Sequence, residues 1–275
     1  MSANQDSGGS AARWGPLFGA RAQDWAETWE GPSGWGTPIY QYVLSRAKIG
    51  SGTSLLDCGC GAGRFARMAA DRGASVAGID AAKELIEIAA ERTPEADFRV
   101  GDIEMLPWPN DSFDWVTGFS TFQFANNKAR ALSEARRVSR GSVVVVIPSR
   151  LAESGITSVF KPVFPLFPPE ALESMKQSGM FALSAPGQLE AVLAAANLSA
   201  HDDSEIECPI VFDSAEAAIR AFVGAGPTAL AIQHAGEAAV KQAMQDALIP
   251  FTSADRRVTL PGWYRVVFAR GGSTR

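Results

Sequence analysis

The residues best suited to chemistry lie between Leu55 and Phe65, in the run Leu-Leu-Asp-Cys-Gly-Cys-Gly-Ala-Gly-Arg-Phe. A short apolar stretch ends in Asp57, and three glycines follow at alternate positions, Gly59, Gly61 and Gly63. Glycines spaced like this let a backbone turn sharply out of a strand and approach a neighbour where a Cβ would not fit. A helix-like segment begins at once with Arg64. Strand, turn and helix start together would form the floor of a nucleotide-type pocket at the carboxyl edge of a parallel sheet. The bland alternative is a glycine-rich turn with no ligand. A dinucleotide turn needs Gly-x-Gly-x-x-Gly, but the position three after Gly61 is Arg64. The order here is Asp-x-Gly-x-Gly-x-Gly.

Two further acids stand at strand ends. Asp80 closes the second strand candidate, where a carboxylate can accept both hydroxyls of a ribose, or else cap the helix that Ala81 opens. Gly101-Asp102-Ile103-Glu104 follows the third strand candidate, and Leu106-Pro-Trp-Pro-Asn-Asp-Ser-Phe-Asp-Trp-Val leads into the fourth. The glycine pattern resembles motif I of the class I S-adenosylmethionine (SAM) dependent methyltransferases. The later stretch resembles their pattern Gly-Asp-Ala-Glu-x-Leu-Pro-Phe-x-Asp-x-Ser-Phe-Asp-x-Val. The resemblance covers residues 50–150 and points to the ubiquinone/menaquinone and small-molecule enzymes.

That resemblance implies a doubly wound, mostly parallel seven-stranded Rossmann-like α/β sheet with a mostly helical cap. It implies SAM as cofactor and S-adenosylhomocysteine (SAH) as product; it leaves the acceptor open, and the phenylalanines at 160–167 suggest a small, apolar or aromatic one. By the resemblance, Asp57, Gly59, Cys60, Gly61 and Gly63 hold the methionine end, while Asp80 and Ala81 take the ribose. Asp102 meets the adenine amino group, Ile103 flanks the ring, and Phe119 and Ser120 line the methyl-transfer cavity beside Gly118. Asp114 reads as structural. Gly118-Phe-Ser-Thr stands where base and glutamine methylases carry Asn/Asp-Pro-Pro-Tyr/Phe, which counts against those substrates. A protein or RNA methyltransferase and a non-catalytic SAM-binding regulatory subunit remain the rival readings, with a nicotinamide oxidoreductase behind them.

The 275 residues suit one large domain, or one with an embedded cap. With 46% hydrophobic and 20% charged residues, a sizeable core is expected and global disorder is excluded. A net charge of −5 argues against a nucleic-acid backbone as partner. No apolar run is long enough for a membrane helix, and the polar N-terminus does not resemble a signal peptide, so a cytoplasmic protein is expected. Cys58 and Cys60 are too close for an unstrained disulfide and read, with Cys208, as reduced packed residues. Two histidines, neither near them, leave no expected metal site.

Periodicity divides the chain into a disordered tail (1–12), N-terminal helices with the cofactor core (13–150), a lid loop (151–186), and a C-terminal part (187–275) carrying a helical insertion at 213–250. Strands are expected at 53–57, 75–79, 98–100, 113–118 and 142–147, with helices at 63–72, 81–92 and 126–139. A further strand is expected at 206–212 and a last one at 263–269. Residues 16–30 repeat Phe18, Ala22, Trp25 and Trp29 at helical spacing, either packing on the sheet or lying over the cofactor. Phe160, Phe164 and Phe167, in a proline-stiffened stretch, are expected with Trp25 and Phe124 to enclose the acceptor. For a general base the candidate is His234. His201, beside two aspartates, reads as a solvated turn, and Tyr40 and Tyr42 are further possibilities.

Overall fold

Five consecutive apolar residues, Val143 to Ile147, are 0–2% exposed and run through the interior of a seven-stranded sheet. A strand covered on both faces has no reason to alternate polar and apolar residues. Val144 and Val146 join one core and Val143, Val145 and Ile147 the other, so strand periodicity alone assigns each valine its face. The computed structural model describes residues 9–32 and 34–272.

In chain order the elements begin with helices α1 (Ser10–Gly19), α2 (Ala22–Thr28) and α3 (Thr37–Arg46). The alternating core follows: β1 (Ser54–Cys58), α4 (Arg64–Ala70), β2 (Ser75–Asp80), α5 (Lys83–Arg92), β3 (Asp97–Val100), β4 (Phe113–Phe119), α6 (Lys128–Val138) and β5 (Ser139–Ser149). Then come α7 (Gly155–Phe160), α8 (Pro169–Gln177), α9 (Gln188–Ala195), β6 (Leu198–Glu207) and β7 (Ile210–Phe212). Helices α10 (Ala215–Gly224), α11 (Thr228–Ala235) and α12 (Glu237–Leu248) precede β8 (Val258–Leu260) and β9 (Trp263–Gly271). The sheet order is β3-β2-β1-β4-β5-β9-β6, with β1 to β5 parallel and β9 antiparallel to both β5 and β6. This is the doubly wound sheet expected. Its strand order reverses between β1 and β4, which opens a crevice at their carboxyl ends.

Four expectations need correction. Of the tail expected at 1–12, Ser10 to Ala12 belong to α1, and residues 1–8 lie outside the described ones. Residues 16–30 are not one helix: α1 runs through Pro16 and ends at Gly19, and α2 starts at Ala22 after the non-helical Arg21. His201-Asp202-Asp203 is no turn but part of β6, an edge strand whose Asp203 pairs with Arg265 of β9 and whose half-buried Asp202 pairs with Arg46 of α3. The strand expected at 206–212 is cut by Pro209, which can donate no ladder hydrogen bond. Its second half, β7, pairs with β8 in a separate hairpin.

The stretch 151–186 contains two helices, α7 and α8, with Pro169 in the first turn of α8 where a missing N–H costs nothing. It packs with α10 to α12 into a satellite core around Val159, Phe222, Val240, Met244 and Leu248. Helices α1 and α2 dock on this cap: Trp29 Nε1 donates to Ala221 O at 2.7 Å, and Arg21 pairs with Glu237 at 2.7 Å. N-terminal helices and cap thus make one roof over the sheet's carboxyl edge.

Candidate functional site

Under that roof lies a cavity of about 170 Å³, floored by the turn after β1 and the end of β4. All the residues expected at the cofactor line this cavity except Gly63. Asp57, Gly59, Cys60 and Gly61 come from the glycine turn, Asp80 and Ala81 from the end of β2, Asp102 and Ile103 from the loop after β3, and Phe119 and Ser120 from the end of β4. Gly63 instead caps α4 in the left-handed region (φ 82°), where a Cβ would lie 2.9 Å from Ala89 Cβ. Its role is helix packing.

Four carboxyl groups face the cavity, and no Lys, Arg or His does among the described residues. Asp57 lies opposite Thr117 in the β1–β4 register and accepts a 2.9 Å hydrogen bond from its hydroxyl. Burial pushes the Asp57 carboxyl up to about 8, against the pull of that bond, and nearby Glu30 and Asp80 raise it further. Asp80 accepts from Gly61 N at 3.0 Å and Ala82 N at 2.9 Å, so it holds both the glycine turn and the chain that leads into α5, whose N-cap is Ala82. Burial pushes the Asp80 carboxyl up to about 6. Asp102 is already met by Ser10 Oγ (3.0 Å), Ala11 N (2.9 Å) and Glu104 N (2.9 Å), so α1 stands on it.

The fourth acid, Glu30, has no counterpart in the sequence reasoning. It follows α2 and reaches into the glycine turn, where its carboxylate accepts from Trp25 Nε1 (2.6 Å), Ala62 N (2.8 Å) and Arg64 N (3.0 Å). Burial raises its pKa, and those three donors with Arg92 oppose the rise. Nothing local in the sequence marks Glu30, since the two turn N–H groups that it takes are 32 and 34 residues away. The alternate glycines were the available hint that something approaches the turn.

The remaining wall is aromatic. Trp25 and Phe124, both expected at the acceptor, line the cavity together with Trp14, Trp29, Trp35, Tyr40 and Tyr264. Trp35 stands between Tyr40 and Tyr264, at 5.9 and 5.1 Å between ring centroids. Trp29 serves both readings of its helix, lining the cavity while packing edge-on to Phe222 and Phe212 of the cap. Phe160, Phe164 and Phe167 do not reach the cavity: Phe160 and Phe167 are 3% and 2% exposed within the satellite core, and Phe164 packs against it. Ile156, Met180, Ala225 and Pro227 present the lid and cap to the cavity instead. His234 is exposed at the end of α11, outside the cavity, and so cannot serve as a base there. His201 meets Ser142 on the far side of β5, and Tyr42 bonds Ser204, so neither borders it. Burial raises the phenols of Tyr40 and Tyr264, which keeps both protonated.

This donor set suits SAM. A sulfonium nucleoside is cationic and carries no phosphate, so acids and ring faces fit it where a pyrophosphate would need N–H groups or cations. Two buried polar atoms on the cavity residues, Ser120 Oγ and Trp35 Nε1, have no protein partner and remain for a ligand. Ser120 holds φ 52°, an uncommon conformation for a residue with a side chain and one that clusters at functional sites.

Residues 56–147 match the family model of a methyltransferase domain. A malonyl-[acyl-carrier protein] O-methyltransferase of Serratia marcescens is 34% identical over 116 residues, 42% of this chain and 46% of that protein. A demethylmenaquinone methyltransferase of Renibacterium salmoninarum is 33% identical over 96 residues, 34% of this chain and 40% of that one. The chain spans under half the length of these curated relatives. The YcgJ protein of Bacillus subtilis shares the fold, with a TM-score of 0.56 and 21% identity over 85% of this chain and 98% of that structure. Motif, fold and donor set agree with the family match over this region: residues 56–147 carry a methyltransferase domain.

Proposed function

We propose that this chain transfers the methyl group of SAM to an O, N or C atom of a small, apolar or ring-containing metabolite. The single observation that carries the reading is the cavity's composition: acids and glycine-turn backbone at one end, tryptophans, tyrosines and aliphatic cap residues at the other. When bound, SAM supplies an activated methyl on a sulfonium, which an acceptor atom attacks in line. The protein's own tasks are then alignment and exclusion of water. Asp80 takes the ribose hydroxyls while Gly61 and Ala82 keep its carboxylate fixed, and Ile103 flanks the base. Asp102 holds α1 down over the adenine end. Trp35, Tyr264, Ile156 and Met180 form the acceptor's walls, and the joined roof keeps water out.

No histidine lines the cavity among the described residues, and its phenols stay protonated, so the acceptor that fits best needs no neutral base from the protein. The apolar cap face supports a small molecule over a protein or nucleic-acid chain, and the acidic lining disfavours a phosphate backbone. Three free, buried cysteines suit the reducing cytoplasm, and no helix among the described residues is long and apolar enough to cross a membrane. The test is incubation with methyl-labelled SAM and a fractionated metabolite extract, followed by mass spectrometry. A labelled apolar product supports the proposal. Label found only in protein or RNA, or in nothing despite SAM binding, overturns it.

A further inference from the structure

Resting on the reading of the cavity as a SAM site, we propose that Glu30 is a specificity-determining residue: it fills the anion seat of the glycine turn with the protein's own carboxylate, so that the site selects ligands by positive charge. A strand–turn–helix junction ordinarily offers its free N–H groups to an anion. Here Ala62 N and Arg64 N, at the start of α4, are spent on Glu30 at 2.8 and 3.0 Å. Gly61 makes this possible: a Cβ there would lie 2.1 Å from Glu30 Oε1. The second glycine of the motif is therefore occupied by a side chain of the same protein.

The side-chain hydrogen bonds of Glu30 among the described residues all come from N–H donors. Oε1 takes Trp25 Nε1 and Ala62 N and Oε2 takes Arg64 N, which is the pattern of an ionised carboxylate. Its side chain is 7% exposed and borders the cavity beside Asp57 and Asp80. The nearby cation, Arg92, sits 3.5 Å from Oε2, but its guanidinium bonds Ala62 O and Ala26 O and does not line the cavity. A phosphate entering the turn would find these N–H groups taken and meet like charge. A sulfonium would meet opposite charge at short range in a low-dielectric site. Methyl transfer breaks the C–S bond and leaves its electron pair on sulfur as a neutral thioether, so the product forfeits this attraction and keeps every other contact.

The test is calorimetric titration of the whole chain with SAM, with sinefungin (which carries an ammonium in place of the sulfonium), with SAH and with ATP. In Glu30→Gln, SAM and sinefungin should weaken by about tenfold while SAH changes by no more than about twofold, since all three share the α-ammonium and α-carboxylate and only SAM and sinefungin carry a further positive charge at the reacting position. Arg92→Gln should move the SAM-to-SAH preference the other way, by about two- to threefold, because it uncovers the same charge. This second variant carries the test if Glu30→Gln does not fold. Equal losses of SAM and SAH in Glu30→Gln, or an unmoved preference in Arg92→Gln, would reduce Glu30 to a prop for the turn. ATP binding to the wild type as tightly as SAM would also overturn the inference. Wild-type protein that binds neither SAM nor SAH would overturn the cofactor reading itself.

Discussion

Ser10 and Asp102 join the first turn of α1 to the acid that follows β3: Ser10 Oγ donates to Oδ1 at 3.0 Å, and the next residue's N–H, Ala11 N, donates to Oδ2 at 2.9 Å. A helix N-terminus is partially positive, so it both satisfies this carboxylate and is held by it. The residue expected to recognise adenine is thus also the clasp of the roof. Ser10→Ala should cost the clasp about 0.5–1.5 kcal/mol, the usual net worth of one hydrogen bond. Hydrogen exchange of α1 amides should accelerate by a few fold to about tenfold, with β4 and β5 unchanged. Exchange that stays the same in α1 would show the clasp to be idle.

Asp80 bears two loads, the turn through Gly61 N and the expected ribose hydroxyls. Asp80→Ala should weaken SAM binding by about 1.5–3 kcal/mol, the scale for hydrogen bonds to a charged group. The fold should persist, because a half-buried strand-tip acid carries little core packing. Calorimetry that finds wild-type affinity would leave Asp80 a brace for the glycine turn and nothing more.

The buried acids make a prediction about pH. Asp57 is pushed up to about 8 and Asp80 to about 6, both above their values in an unfolded chain. The folded state therefore holds protons that the unfolded chain has already released, and stability falls as pH rises from about 4 toward 8. The paired carboxylates Asp114, Glu134 and Glu190 have lowered values, so they remain ionised and flat across the upper part of that range. Melting of the ligand-free protein should drop by several degrees between pH 5.5 and 8.5, and Asp57→Asn should flatten the slope. A melting temperature that climbs over the same interval would contradict this account of the acids.

The acceptor wall can be told from the satellite core by two substitutions. Phe164→Leu removes ring contacts with Phe160 and Phe167, at 6.3 and 6.4 Å, and should cost under about 1.5 kcal/mol of stability with kinetics unchanged. Ile156→Phe projects bulk into the cavity and should raise the acceptor KM by about tenfold, leaving SAM affinity within about twofold. The reverse pattern would move the acceptor to the phenylalanine cluster.

Much of the cavity's floor was legible in the sequence. Strand ends and glycine turns are local events, set by apolar runs of a few residues and by the backbone freedom of Gly59 and Gly61. A parallel sheet then delivers the ends of β1, β2, β3 and β4 to one edge whatever the loops contain. That is why Asp57, Asp80, Asp102 and Ser120 could be named from their places in the chain and meet around one cavity.

The sequence by itself determined the α/β alternation, the turn and its acids, because each depends on neighbours within one strand–helix unit. Tertiary structure alone decided what the glycines make room for. Gly59 yields to Thr121, Gly61 to Glu30 and Gly63 to Ala89, and those partners come from segments 26 to 62 residues distant that no periodicity connects. It also decided which aromatic rings face the cavity. Phe160 and Trp25 are both large apolar residues in helical segments, and burial drives either one inward without saying against what. The packing of α1 and α2 onto the cap turned Trp25 toward the glycine turn, while α7 turned Phe160 toward Phe222. Hydrophobicity is non-directional, so it placed both rings inside; the direction came from hydrogen bonds and from the shape of the neighbouring elements.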